Sequence, residues 1–227
     1  MLRYFLENAY VPLYGITFLL SLYRYSKYFD TKLKYLPIIF IYTFLNEMLG
    51  SLIFEYPEYR FFGSDALAFY NMVIYNIYNV IFCLYFFRIY TFYLDNEKIK
   101  TGIQYASIAF LIVATINPFY EDFVTSSQTA TYVVGGLIIL VCSTLYLRQV
   151  FTTKNEIPWK NDLLFWISLG LFVFYAGYLP IKILRFYHSI YNITEGTHVR
   201  LTHLSLIVIM YLLIIIGFLR MRRRLPR

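Results

Sequence analysis

Long apolar runs alternate with short polar ones along the whole chain. The alternation predicts helices at about Tyr10 to Tyr25, Leu36 to Phe54, Ala68 to Tyr93, Gly102 to Asn117, Thr131 to Phe151, Leu163 to Phe186 and Leu201 to Arg220. An α-helix rises about 1.5 Å per residue, so about 20 apolar residues cross the hydrocarbon of a bilayer, and these runs approach or exceed that length. A helix also bonds its own backbone within lipid, where water cannot. The expectation is an all-α polytopic membrane protein, a seven-transmembrane-helix bundle. Its first and fourth runs are the shortest and carry Pro12 and Pro118 near their ends, where proline removes least hydrogen bonding. Short connections make sequence neighbours pack antiparallel, and 1–227 reads as a single domain.

Composition strengthens this reading. The chain of 227 residues is 59% hydrophobic and 22% aromatic but only 15% charged, more apolar surface than a soluble domain can hide. Cys83 and Cys142 both fall inside apolar runs, as packing residues rather than a disulfide framework. Met1 to Glu7 lacks the charged start, apolar core and small-residue cleavage site of a signal peptide, so the first helix is expected to serve as its own insertion signal.

Charge adds an orientation. If the C-terminus faces the cytoplasm, that side collects 15 of the 20 lysines and arginines against five of the 13 acidic residues. Positive loops stay inside, which places the N-terminus outside and the C-terminus in the cytoplasm of a plasma or inner membrane. The net charge of +7 is thus spread over membrane edges, which argues against nucleic acid as a partner. The expected partners are the lipid bilayer and, for the tail Arg220-Met-Arg-Arg-Arg-Leu-Pro-Arg227, anionic lipid headgroups. Docking of a cytoplasmic protein on the tail is the alternative.

Shifting the chain by 121 residues brings Gly15 onto Gly136, Leu19 onto Leu140, Tyr25 onto Tyr146 and Pro37 onto Pro158; a shift of 133 brings Tyr78 onto Tyr211. Such an echo pairs the first three helices with the last three around a central fourth. In size, span number and this 3+1+3 plan, the chain resembles the sugar-transporter and PQ-loop group, and in texture small seven-helix membrane proteins of bacteria. The resemblance covers the whole chain, is architectural, and implies carriage of a sugar-type small molecule. No Pro-Gln dipeptide is present, and Pro12 and Pro180 sit toward the outer ends, so no site residue carries over. A retinal protein would need a lysine midway along the seventh helix, and Ser205 to Ile216 contains none.

The candidate chemistry centres on Glu47, the one acidic residue deep in an apolar run, with Asn46 beside it. A carboxylate at mid-bilayer costs about 2.5 to 3.5 kcal/mol, so it needs a partner or a wet cavity. Asn76, Asn79 and Cys83 share one face of the third helix, with Met72 a turn earlier. Asn76 and Glu47 lie at similar depths, about 10 to 12 Å below the outer helix ends, so Asn76 or Asn79 is expected to hold the carboxylate. Tyr175, Tyr178, Lys182 and Arg185 share a face of the sixth helix, where Pro180 can bend the backbone. Lys182 is a candidate counter-ion for Glu47, and snorkelling to headgroups is the competing role for both cations. The tyrosines Tyr42, Tyr75, Tyr78, Tyr175 and Tyr178 fall at depths where their hydroxyls can line a pocket. The expected ligand-binding set is Asn46, Glu47, Asn76, Asn79, Tyr75, Tyr175, Tyr178 and Lys182, suited to an amphipathic organic molecule.

His188, Glu195, His198 and His203 gather around the last outer connection in a spacing that matches no zinc pattern, and no cofactor is expected. No nucleophile elbow, phosphate-binding loop or His-Glu-x-x-His is present. The Asn192-Ile-Thr194 sequon bears only on a glycosylating host. The leading expectation is a receptor- or sensor-like ligand-binding module, with a small-molecule transporter second and a membrane enzyme third.

Overall fold

A computed structural model describes residues 2–55, 71–152, 158–191 and 193–221, with the backbone alone at 2–5, 7, 8, 51–55 and 71. Among the described residues the architecture is all-helical: α1 (Leu2–Tyr23), α2 (Leu36–Glu55), α3 (Asn71–Tyr93), α4 (Glu97–Ile116), α5 (Thr129–Thr152), α6 (Leu163–Ile190) and α7 (Thr197–Arg220). Five of these, α3 to α7, are long and apolar enough to cross a membrane. The expected start of the third helix at Ala68 lies outside the described residues, as do Lys154, Glu156, Asn192 and the tail from Arg222.

The helices overrun the apolar runs because polar first turns have their own hydrogen-bonding logic. At α4, Asn96 Oδ1 accepts the N–H groups of Lys98 and Ile99 at 2.9 and 3.3 Å, so the helix starts at Glu97 rather than at Gly102. At α6, Asp162 caps Leu164 N–H at 2.9 Å, and the helix starts at the expected Leu163. Pro12, expected near the start of α1, sits inside a helix that begins at Leu2.

α1 packs on α2 and α7, α2 on α3, α3 on α5, α5 on α6 and α6 on α7, which closes a ring of six helices. α4 lies outside the ring against α3 and α5, with only Ile103 and Phe110 buried. Close approach around α5 depends on two adjacent glycines. A Cβ on Gly135 would come within 2.7 Å of Cys83 Sγ, and one on Gly136 within 2.7 Å of Tyr175 and Leu179.

One end of the ring carries the C-termini of α1, α3, α5 and α7, and its interior is solid. Leu36, Phe40, Phe86, Tyr90, Ile167 and Phe218 are all buried there. Phe40 and Phe218 meet edge to face at 5.9 Å, and the Tyr90 hydroxyl donates to Ser168 Oγ at 3.0 Å. Cations close this end: Arg24 donates to the Leu219 carbonyl at 3.4 Å and Lys27 to the Met221 carbonyl at 3.1 Å, capping the C-terminus of α7. Leu19, Ile38, Leu45, Ile108 and Val141 point outward, as lipid-facing residues do.

Candidate functional site

At the opposite end the ring is hollow. A cavity of about 930 Å³ runs from the buried Tyr14, Tyr175 and Tyr211 to the exposed Tyr120 and Glu195, so it reaches the surface. All eight residues of the expected set, Asn46, Glu47, Asn76, Asn79, Tyr75, Tyr175, Tyr178 and Lys182, line this one cavity. Tyr78 lines it as well. Tyr42 does not; its ring stacks on Tyr78 at 5.0 Å from outside the lining, and its hydroxyl donates to the Ile74 carbonyl.

The connection between α4 and α5, residues 117–128, forms part of the wall and is fastened from both sides. From α3, Asn76 Nδ2 donates to the carbonyls of Phe123 and Ser126 at 2.9 and 3.0 Å, and Asn76 Oδ1 accepts Gln128 N–H at 3.2 Å. From α6, Lys182 Nζ donates to Ser127 Oγ and lies 5.4 Å from the Tyr132 ring centre. Within the connection, Glu121 Oε2 accepts from Asn117 Nδ2 at 2.9 Å and from Thr129 N–H, so its carboxylate sits at the positive N-terminus of α5. Asp122, fully exposed, accepts Val124 N–H at 2.8 Å, and that bond holds its carboxyl below its ordinary range.

These bonds revise two expectations. Lys182 is neither the counter-ion of Glu47 nor a snorkelling headgroup contact: it is 8% exposed, and its ammonium is committed to Ser127 and the Tyr132 face. Asn76 does not hold Glu47 either, because all of its amide donors and its acceptor serve the 117–128 connection. The residue that meets Glu47 is Tyr75, whose hydroxyl is the carboxylate's hydrogen-bond partner. The phenols of Tyr14, Tyr78 and Tyr211 complete its electrostatic surroundings.

Arg185 also departs from the headgroup role. Its Nε and Nη2 donate to Glu195 Oε1 at 3.1 and 2.8 Å, and its Nη1 to His203 Nδ1 at 3.2 Å and the Tyr178 hydroxyl at 3.4 Å. Since arginine only donates, Nδ1 of His203 is the acceptor and that ring carries its proton on Nε2. Tyr178 stacks on the same imidazole at 4.2 Å. Among the described residues no three His, Cys, Asp or Glu side chains gather in a metal-holding group.

No protein-family model, curated protein or solved structure matches the chain. What the site can do therefore rests on its own geometry: an aromatic chamber with one carboxylate at depth, amides beside it, and a cation–carboxylate cluster near the surface.

The sequence reading missed Tyr14, Thr43, Tyr132, Phe174, Tyr211 and the whole 117–128 contribution. For the connection a signal existed: Thr125-Ser126-Ser127-Gln128 places four hydrogen-bonding side chains in a row before α5. Tyr211 and Thr43 lie in runs whose periodicity is uniformly apolar, and nothing in the pattern marks them as cavity-facing.

Proposed function

We propose that this is a membrane-embedded, receptor- or sensor-like protein that binds a small organic ligand in the chamber between α2, α3, α6 and α7. The observation that carries the reading is the shape of the interior: about 930 Å³ of aromatic and polar cavity reaching one surface, with the buried plug of Phe40, Phe86, Tyr90 and Phe218 beyond it. That volume is typical of small-molecule sites. A plugged end suits a module that registers occupancy rather than passing the ligand on. Acid–base catalysis has less support, since the neighbours of Glu47 are phenols rather than a second group tuned to move protons.

In this reading all seven helices span, the N-terminus is outside and the C-terminus cytoplasmic. The chamber then opens outward, and the basic end and tail lie on anionic lipid, where a cytoplasmic protein partner could read the state of the bundle. The second reading is a carrier of 3+1+3 plan, favoured by α4 lying outside a ring made of α1–α3 and α5–α7.

A thermal-shift screen of purified protein in lipid nanodiscs tests the first reading. Saturable stabilisation by a small molecule is expected, and the cavity-filling Asn79→Phe should abolish it. Stabilisation that survives the filled chamber would overturn the proposal. Uptake of the same ligand into proteoliposomes would turn the decision to the carrier.

A further inference from the structure

Glu47 is a carboxylate inside an aromatic chamber without a cation from the described residues. The two cations that line the chamber are occupied elsewhere: Lys182 with Ser127 and Tyr132, Arg185 with Glu195, Tyr178 and His203. Around Glu47 stand the phenols of Tyr14, Tyr75, Tyr78 and Tyr211. A carboxylate among phenols in a chamber lined by aromatic rings suits a positively charged nitrogen, by direct charge pairing and by attraction to the ring quadrupoles. Beside it, Asn46 is 5% exposed, lines the same chamber, and has an amide nitrogen buried without a hydrogen-bond partner. Buried amide donors in native proteins are almost always satisfied. This one is left for an acceptor that the described residues do not supply.

Building on the ligand-binding reading, we infer that the ligand is an organic ammonium, its nitrogen at Glu47, with an acceptor oxygen close by for Asn46 Nδ2 and an apolar body among the tyrosines. Anionic ligands are disfavoured at that depth. A carboxylate or phosphate entering the chamber would find Arg185 paired with Glu195 and Lys182 held at Ser127 and the Tyr132 ring, and at the Asn46 end would meet Glu47 as a like charge.

Matched probes test this on the full chain in nanodiscs: 2-phenylethylamine, 2-amino-1-phenylethanol, 2-phenylethanol and 3-phenylpropionate, read by thermal shift and isothermal titration. The amines are expected to bind at least tenfold more tightly than the neutral alcohol or the acid. The amino alcohol should exceed the plain amine, and Asn46→Leu should erase that margin. Glu47→Gln should remove the preference for the amines over the neutral alcohol. The comparison among probes on the parent protein stands even where a variant fails to fold. Equal binding of alcohol and amine, or tighter binding of the acid, would overturn the ammonium assignment and leave the chamber as a ligand site. Absence of binding by both amines would likewise overturn it, and the broader screen would then decide the chamber reading separately.

Discussion

Asn76 and Gln128 hold each other across the gap between α3 and the start of α5: Asn76 Oδ1 accepts Gln128 N–H at 3.2 Å while its amide hydrogens go to the carbonyls of Phe123 and Ser126. One side chain thereby satisfies three backbone groups of a connection that has no regular structure between Phe119 and Thr129. Asn76→Ala should destabilise the protein by about 1 to 3 kcal/mol, the usual cost of leaving buried polar groups unmade. Asn76→Asp should be no better, because it sets an oxygen against two carbonyl oxygens. Unfolding in nanodiscs measures both, and an Asp variant as stable as the parent would contradict the assignment.

Lys182 and Glu47 should behave as independent residues. Since Lys182 is bound to Ser127 and the Tyr132 face, a double-mutant cycle of Glu47→Gln with Lys182→Met should be additive within about 0.5 kcal/mol. The cycle of Lys182→Met with Ser127→Ala should instead show coupling of about 0.5 kcal/mol or more. A reversal of the two results would restore Glu47 as the partner of Lys182.

The extent to which this site could be read from sequence follows from what each residue's neighbours advertise. Glu47, Asn76, Asn79 and Lys182 are polar residues in apolar runs, and helical spacing alone places them on particular faces, which is why they fall in one cavity. Which of them touch is a tertiary fact. The partner of Asn76 is 52 residues away and that of Lys182 is 55 residues away, in a connection whose path no periodicity encodes. The helix count was legible for the same reason that Tyr14 and Tyr211 were not: a span apolar all round announces its length and hides its facing. The start of α4 was missed because capping by Asn96, rather than hydropathy, sets it, whereas at α6 the cap Asp162 stands directly before the apolar run and the start at Leu163 was legible.

Gly136 sets the distance between α5 and α6. A Cβ there would lie 2.7 Å from both Tyr175 Cδ1 and Leu179 Cδ2, inside any tolerated contact. Gly136→Val should cost about 1 to 3 kcal/mol through overpacking. It should also weaken ligand binding, because Tyr175 lines the chamber and has to move. A variant with parental stability and binding would show that α5 and α6 separate freely, against the packing described.

Asp162 lies at the opposite end, just before α6, where its Oδ1 caps Leu164 N–H at 2.9 Å and its Oδ2 accepts the Tyr146 hydroxyl at 2.7 Å. Burial is the largest influence on this carboxyl and pushes it above its ordinary 3.8, although the bonds from Tyr146, Leu164 and Phe165 pull the other way. A folded-state value above the unfolded one means that the fold prefers the protonated acid. Its contribution is therefore greatest below the unfolded value and declines as pH rises through the folded one. Asp162→Asn keeps an acceptor for Leu164 N–H and cannot ionise, so at neutral pH it should cost less than about 1 kcal/mol, whereas Asp162→Ala loses the cap and should cost about 1 to 2 kcal/mol at the same pH. On acidification the parent should gain relative to the Asn variant, and the gap between them should widen. Unfolding of both proteins across the acid range checks the sign: a gap that narrows toward low pH would mean that the hydrogen bonds, and not burial, govern this carboxyl.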